Sequence, residues 1–465
     1  MPTSPAPSAA LPIARRGALT RLRSLSPESG DALLYLVGSL FAFVTILGSA
    51  TGLYAQWGEL SVAPFLLGVV ASIALAAVAR RHRRSVPLAD LPAPRDHRAL
   101  KGRLAVALCV FIGAVAIPLS LEIVWRFNSD PGTHQQPEVI TVEHGGQEIA
   151  LGGSPYHPVV NVHHEVPYHA PGQPNFQGFL PYLPLMALFG LPSSQWPTSG
   201  FSDARVFFCL TTIVVTGLAL WLCPASGRRK LRALQVLVIL PIASLPLTTG
   251  GDDIPVVAFL LLAMVLAQRR QPLASGIVLG IASALKFTAW PLAALALFAA
   301  RGRRGERRPA TMLLGMVAVL VPAVVPFAWR GPWALFDDVV LFPLGLTPIH
   351  STAGSPLPGH LLVSAFPSLH RALPFSVGLI GGVLLARHLS RRTPQGVSEV
   401  CAIAGVSMAV LTLLAPDPRI GFLLYPINFF VWSYLFSGPE GKAEPTPSGP
   451  VVTAERQPHL ASSTR

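Results

Sequence analysis

Residues 272–300 read PLASGIVLGIASALKFTAWPLAALALFAA, a long apolar run whose single charge is Lys286. Basic clusters flank this run on both sides, QRR at 268–270 and RGRRGERR at 301–308. Basic loops collect on the cytoplasmic side of a membrane, so a single crossing would place one cluster on the wrong side. Two short helices that turn at Lys286 keep both clusters inside and raise this lysine to the outer end of the pair. The alternative is that Lys286 extends its long side chain to the membrane interface.

The composition is that of a membrane protein. Hydrophobic residues make up 51% of the chain and charged residues 12%, with a mean hydropathy of +0.53, whereas soluble domains are about 25% charged. Apolar runs separated by short basic clusters predict an all-α fold, a polytopic transmembrane helical bundle of about 12 spans. The predicted spans are 33–55, 61–80, 103–124, 205–223, 233–247, 254–268, 273–285, 288–300, 311–328, 372–390, 399–415 and 420–436.

Lys and Arg predict the orientation of this bundle. They are concentrated before the first span and in every second loop after it. The alternate loops are poor in both residues: YAQWGEL at 54–60, 126–175, TTGGDD at 248–253 and 329–371. The positive-inside rule therefore places both termini in the cytoplasm and these loops outside the plasma membrane.

The same pattern divides the chain into a membrane domain and two tails. Residues 1–31 and 438–465 are rich in Pro and Ser and are expected to be disordered cytoplasmic tails. The transmembrane domain is expected at 32–437, with a large outer loop at 126–204 and a second outer loop at 329–371. Residues 176–192, FQGFLPYLPLMALFGLP, are predicted to be a re-entrant or juxtamembrane segment, because another crossing would invert every later loop.

Several other classes of site fit the sequence poorly. The net charge of +13 lies in loops where it sets topology, so no nucleic acid is expected as a partner. The four cysteines lie in or beside apolar runs without metal-type spacing. The outer histidines show no firm ligand spacing either, so we expect no cofactor and do not favour a divalent metal. These histidines are His134, His144, His157, His163, His164 and His169.

The outer loops combine carboxylates with cations. This combination suits a general base together with a clamp for an anionic group. Glycosyl transfer from a sugar linked to a lipid phosphate needs both. An outer site also favours a lipid-linked donor, because soluble nucleotide sugars are made in the cytoplasm.

Four motifs in order sharpen this interpretation: GGSPYHP at 152–158, FLPYLPLMALFGLP at 179–192, SDARVFF at 202–208, and the TGGDDIP turn followed by the Lys286 run. Together they resemble glycosyltransferase family 87 of the GT-C superfamily (DUF2029-type), bacterial mannosyltransferases that use polyprenol-phosphate-mannose. The resemblance covers residues 100–330 well and 330–436 more loosely.

The resemblance implies roles for particular residues. The family's catalytic Asp usually lies 14 residues before the Gly of its Gly-x-x-Tyr element, and this distance from Gly152 gives Glu138, a Glu in place of Asp. Asp130 is the other candidate base, and in the alternative interpretation both acids are solvated loop residues. The implied phosphate-binding residues are Lys286, Arg205 and Arg419, and the implied substrate-binding residues are Tyr156, Tyr182, Asp252 and Asp253.

Each of these residues also has a structural alternative. Asp252 and Asp253 suit the N-terminus of a helix, and Arg205 suits an ion pair with Asp203. Arg419 is also placed to reach the membrane interface. Tyr156, Tyr182 and Tyr425 suit an interfacial belt or core packing.

The sequence thus predicts an integral membrane hexosyltransferase. It would move a hexose, with mannose favoured, from a polyprenyl-phosphate donor to a cell-envelope glycolipid or polysaccharide on the outer face. The main alternative is a transporter or flippase for an envelope lipid, which should hold its ionisable groups mid-membrane on broken helices. A non-catalytic scaffold for envelope assembly is the third reading.

Overall fold

The computed structural model describes residues 26–49, 52–84, 95–128, 133–156, 178–300, 308–347 and 353–437. Asp130, most of the predicted N-terminal tail and the whole C-terminal tail lie outside these residues, as do His157, His163, His164 and His169. The described residues form helices joined by turns and contain no strand. The predicted all-α fold class is therefore confirmed.

The helices of the N-terminal part are α1 (Pro27–Gly48), α2 (Gly52–Arg84), α3 (Arg95–Phe111), a π-helical turn (Ile112–Ala116), α4 (Ile117–Asn128), α5 (Pro137–Ala150), α6 (Pro184–Ala187), a 3-10 turn (Leu188–Gly190) and α7 (Leu191–Gln195). The central part contains a 3-10 turn (Gly200–Ser202), α8 (Ala204–Leu222), α9 (Gly227–Val238), α10 (Pro241–Thr249), α11 (Asp253–Gln268), α12 (Pro272–Leu285), a 3-10 turn (Phe287–Ala289) and α13 (Trp290–Ala299). The C-terminal part contains α14 (Arg308–Arg330), α15 (Pro332–Phe336), a π-helical turn (Asp337–Leu341), α16 (Pro358–Ala365), a 3-10 turn (Pro367–Leu369), α17 (Ala372–Arg391), α18 (Val397–Leu413), a 3-10 turn (Ile420–Leu423) and α19 (Leu424–Phe436).

Each predicted span overlaps helix, but 33–55 and 233–247 each include the end of one helix and the start of the next, and not every helix is long enough to cross a membrane. Among the described residues, six helical segments have the length and apolar character to do so: 27–48, 52–81, 98–128, 204–222, 308–330 and 372–391. The pair α9 and α10, bent by 49°, would make a seventh. Five further apolar helices have 10–17 residues. The structure thus shows a multi-pass helical membrane protein without fixing the span count at 12.

The predicted loop YAQWGEL is wrong, because residues 54–60 lie inside α2 and the first break comes earlier, after Gly48. Trp57 is fully buried, and its indole N–H donates to the Ala114 carbonyl oxygen at 3.0 Å. Ala114 lies in the π-helical turn, where the regular hydrogen-bond ladder of the helix is interrupted. The Trp57 indole N–H is therefore hydrogen-bonded inside the bundle, although the polar residues of this segment are typical of a loop.

The structure confirms a break in the helical run at Lys286. Helix α12 ends at Leu285, and Lys286 has an extended backbone (φ −153°, ψ 144°) before the next 3-10 turn. On the far side of the break, Trp290 donates its indole N–H to the Ser283 carbonyl oxygen at 3.0 Å. Helix α12 packs against α14, whereas α13 packs against α18, so the two halves of the apolar run have different neighbours.

Helix α11 lies at the centre of the bundle. Its side chains are buried nearly all round, and it packs mainly on α8 and α12, as expected for a helix that is apolar on every side. The outer helices expose large apolar side chains, among them Leu47, Leu67 and Leu379. Such surfaces suit contact with lipid rather than water.

Residues 178–195 form only short helical pieces, each too short to cross a membrane. They pack on α5, a helix within residues 126–175 that the sequence analysis did not predict. Gly146 and Gly190 let the two backbones touch, because a Cβ at either position would collide with the main chain of the other segment. This contact joins α5 to the rest of the bundle.

Candidate active site

Lys286 and the turn before α11 form the centre of the candidate site. The Lys286 Nζ lies 2.9 Å from the Asp252 Oδ1 and 2.7 Å from the Asp253 Oδ1. Tyr425 donates its hydroxyl to the same Asp253 oxygen at 2.6 Å. The two aspartates begin α11, where the helix dipole also favours negative charge. The position of the two aspartates is thus compatible with both interpretations, in which they start a helix or form part of the site.

Aromatic rings enclose the lysine. Its Nζ lies 5.0 Å from the ring centre of Tyr182 and 5.7 Å from that of Phe422, distances typical of cation–π contact. Backbone contacts hold Tyr182 in place: the Leu183 N–H donates to the Leu285 carbonyl oxygen at 3.1 Å. Tyr156 donates its hydroxyl to the Tyr182 carbonyl oxygen at 2.9 Å. Tyr156 therefore acts on the site through Tyr182.

One lysine between two carboxylates leaves an excess of negative charge. Burial raises the pKa of Asp252 to about 6, against the lowering effect of Lys286 and with a further rise from Asp253. Burial alone would lower the pKa of Lys286, but the two aspartates raise it above its usual value. The lysine thus stays charged, and the raised pKa of Asp252 means that this carboxylate takes up a proton more readily than an ordinary aspartate.

Glu138 and Arg419 form a second ion pair, between Glu138 Oε1 and Arg419 Nη1. Glu138 lies in the first turn of α5, directly after Pro137. Its other oxygen, Oε2, is buried and has no hydrogen-bond partner among the described residues. One oxygen of the Glu138 carboxylate is therefore held by Arg419, whereas the other could still accept a hydrogen bond.

This pair lies at the same end of the bundle as Lys286. The Gln136 N–H donates to the Thr249 carbonyl oxygen at 2.7 Å, which fixes the start of α5 against the turn that carries Asp252. On the other side, the Phe422 N–H donates to the Arg419 carbonyl oxygen at 2.9 Å, and the Phe422 ring faces Lys286. The sequence analysis named Glu138 and Arg419 separately, and the structure brings them together.

Arg205 belongs to a different, fully internal ion cluster. It donates to the two Asp203 carboxylate oxygens at 2.8 and 2.7 Å and to the His134 carbonyl oxygen at 2.7 Å. Arg126 joins the same Asp203 to Glu143, at 2.7 and 2.6 Å. Arg205 has no exposed surface, so the structure favours the Asp203 pair over the phosphate contact expected from the resemblance.

This cluster supports the start of α5. Glu143 lies in α5, Asp203 precedes α8, and His134 lies in the turn just before Glu138. Sequence reasoning missed Glu143 as a paired residue, and it gave Tyr425 only a packing or interfacial role. A usable signal was the pair of charges in LEIVWRFN at 121–128, since charges in an apolar helix need partners.

An apolar cavity of about 260 Å³ adjoins the Lys286 cluster. Phe422, Tyr425 and Thr288 line one side, and Tyr425 and Thr288 hydrogen-bond to each other. The rest of the lining is Phe287, Pro291, Met408, Leu411, Thr412 and Ala415, from α13, α18 and the segments next to them. The charged Lys286 cluster therefore borders an apolar cavity.

The described residues contain no group of three or more His, Cys, Asp or Glu side chains arranged to hold a metal ion. Of the outer histidines in this part of the chain, His134 lies 3.0 Å from Glu122 and His144 lies 3.4 Å from Glu148. The positive charges of Lys286 and Arg419 suit an anionic ligand. The site thus has the elements of an enzyme that handles a charged, partly apolar substrate at a membrane.

Comparison with known proteins defines the class. The sequence profile of glycosyltransferase family 87 matches residues 179–416, more than half of the chain. The protein belongs to this family and is a membrane glycosyltransferase. The matched region includes Lys286, Asp252 and Asp253, whereas Arg419 lies three residues after its end and Glu138 lies 41 residues before its start. No curated protein and no solved structure matches the chain.

Proposed function

We propose that this glycosyltransferase moves a hexose from a polyprenyl-phosphate donor to a glycolipid or polysaccharide of the cell envelope. Mannose is the favoured sugar, on the resemblance of the motifs. The observation that carries the proposal is the meeting of two cations, Lys286 and Arg419, with the Glu138 carboxylate at one end of the bundle, beside the apolar cavity.

The cations suit the donor's phosphate. Lys286 and Arg419 would bind it and stabilise the charge that grows on it as the sugar leaves. The cavity lined by Phe287, Met408 and Phe422 would take the first part of the lipid chain. A nucleotide sugar would have no use for such a cavity, so the pairing of charge and apolar lining favours a lipid-linked donor.

The chemical step is a direct displacement at the anomeric carbon. The acceptor hydroxyl oxygen forms the new bond to this carbon while its proton passes to the Glu138 carboxylate. The bond from the anomeric carbon to the phosphate oxygen breaks, and its electron pair stays on the phosphate. Tyr182 and the Asp252–Asp253 pair would hold Lys286 against the phosphate, as their contacts with its Nζ suggest.

The proposed site lies on the outer side of the plasma membrane. The basic loops predict this orientation, since the turns that carry Asp252, Lys286 and Arg419 all fall on the side poor in Lys and Arg. We propose no cofactor, and the residues at the site supply both the base and the cations.

The test is sugar transfer by the purified protein in lipid vesicles that contain an envelope lipid extract. Radiolabelled polyprenyl-phosphate mannose, polyprenyl-phosphate glucose and GDP-mannose are offered in separate reactions, each with Mg²⁺ or with a chelator. We expect label in the lipid or polysaccharide fraction from a polyprenyl-phosphate sugar and none from GDP-mannose. Transfer from the nucleotide sugar alone would contradict the proposed donor class, and loss with the chelator would contradict the absence of a metal.

A further inference from the structure

The ion pair between Glu138 and Arg419 blocks the two groups that the proposed reaction needs. A carboxylate that neutralises a guanidinium is a weaker base, because the nearby cation favours its charged form. A guanidinium that is held by a carboxylate is likewise less able to bind a phosphate. In the structure, both groups are engaged with each other.

The charges of the site favour an arrangement in which one cationic side chain turns from its carboxylate partner to an incoming anion. The site has two cations, Lys286 and Arg419, and three carboxylates, Asp252, Asp253 and Glu138. With all five ionised the net charge is negative, which opposes the entry of a phosphate. A cation that leaves its carboxylate and turns to the ligand would offset this repulsion by direct contact with the phosphate.

Arg419 is the cation that is free to turn. Lys286 has two carboxylate partners, lies between the rings of Tyr182 and Phe422, and has a side chain that is 10% exposed. The Arg419 side chain pairs with one carboxylate and is 34% exposed. Its planar guanidinium also suits carboxylate and phosphate equally well, since both accept two parallel hydrogen bonds.

We propose that Arg419 exchanges its partner when the lipid donor binds, passing from the Glu138 carboxylate to the donor's phosphate. The exchange frees Glu138 to accept the proton of the acceptor hydroxyl. It ties the base to the presence of the donor, so the unloaded enzyme holds no active base at this position. This inference rests on the proposed function, since it takes a phosphate-linked lipid as the ligand.

The test is a double-mutant cycle on ligand binding rather than on activity. The probe is radiolabelled undecaprenyl phosphate, and its dissociation constant is measured for the purified protein in nanodiscs. The variants are Glu138→Gln, Arg419→Gln and the double variant. Glu148→Gln is the matched control, because it removes an equal charge from the same helix, and melting temperatures verify that each variant is folded.

Competition for Arg419 predicts a specific pattern. Glu138→Gln removes the competitor, so it should bind the probe about tenfold or more tightly than the wild type. Arg419→Gln should bind it more weakly, and Arg419→Lys should lie between the two. In the Arg419→Gln background, Glu138→Gln should change the affinity little, and Glu148→Gln should change it little in any background.

Two results would overturn the exchange while leaving the proposed function intact. One is an affinity of Glu138→Gln that equals or falls below that of the wild type. The other is an equal gain from Glu138→Gln with and without Arg419, which would reflect simple charge repulsion. A wild-type protein that bound no undecaprenyl phosphate at all would instead contradict the proposed donor class.

Discussion

Lys286 is a buried cation that two aspartates and two aromatic rings hold in place. A single charge in a long apolar run needs a polar partner or a break in the helix, and the structure provides both. The partners are the aspartates of the TGGDD turn, which the sequence had placed on the same outer side. Charge, hydropathy and topology predicted a shared outer side for these residues, and the structure adds that they form ion pairs.

The pairing of Glu138 with Arg419 could not be predicted in the same way. The two residues are far apart in the sequence, and either would satisfy its own local pattern as a solvated loop residue. The same holds for Arg205, whose sequence position allowed a phosphate contact and a pair with Asp203 equally well. The packing of α5 against its neighbours brings Glu138 to Arg419, whereas Arg205 finds its carboxylate two residues away, at Asp203.

The raised pKa of Asp252 leads to a prediction about pH. Its folded-state pKa of about 6 exceeds the ordinary value of 3.8, so its contribution to stability is complete below about pH 4 and is lost as the pH rises through about 6. The loss should be on the order of 3 kcal/mol. The melting temperature of the detergent-solubilised wild type should therefore fall over this range relative to that of Asp252→Asn.

The control for this prediction is Glu148→Gln, which removes a carboxylate outside the Lys286 cluster. This variant should keep the pH slope of the wild type. Equal slopes for the wild type and Asp252→Asn would show that Asp252 does not take up a proton in the folded protein.

At the scale of elements, helix α5 carries the candidate base, and its position depends on close backbone contact. A Cβ on Gly146 would collide with the main chain at Gly190 and Leu191, which has no flexible end to move aside. The hydropathy pattern of residues 137–150 did not reveal this helix, because its polar residues are buried in ion pairs and read as a loop. Hydropathy identifies apolar helices well and helices of this kind poorly.

Gly146→Ala tests this contact. Overpacking against a rigid backbone costs about 1–3 kcal/mol, so the variant should melt at a lower temperature and, because α5 shifts, transfer sugar more slowly. Gly217→Ala is the matched control, since Gly217 lies within helix α8 with nothing within 4 Å of the position of its Cβ. The control should be neutral or slightly stabilising, and an equal melting temperature for both variants would contradict the close contact.

At the scale of the whole molecule, the alternation of basic and non-basic loops predicts which end of the bundle faces outward. The structure shows that the site residues share one end, but the basic loops alone assign that end to the outside. All twelve predicted apolar segments overlap helices, whereas their crossing number depends on tilt and bending, which composition does not encode. The fold class was therefore predictable and the exact span count was not.

Cysteine labelling tests the orientation. Thr198 and Gln271 are both exposed, and the predicted topology places them on opposite sides of the membrane. In a background where the exposed Cys109 is replaced by Ser, a membrane-impermeant maleimide should label Thr198→Cys in intact cells. It should label Gln271→Cys only after permeabilisation, and the reverse pattern would place the site in the cytoplasm.

The central claim is that Glu138 is the base of a glycosyl transfer from a lipid phosphate. Its most direct test is the rate of transfer from radiolabelled polyprenyl-phosphate mannose by Glu138→Gln, compared with the wild type and Glu148→Gln. General base catalysis contributes about 10²–10⁴-fold to a rate, so Glu138→Gln should lose at least about a hundredfold while Glu148→Gln keeps wild-type activity. A folded Glu138→Gln protein that transferred mannose at the wild-type rate would contradict the account.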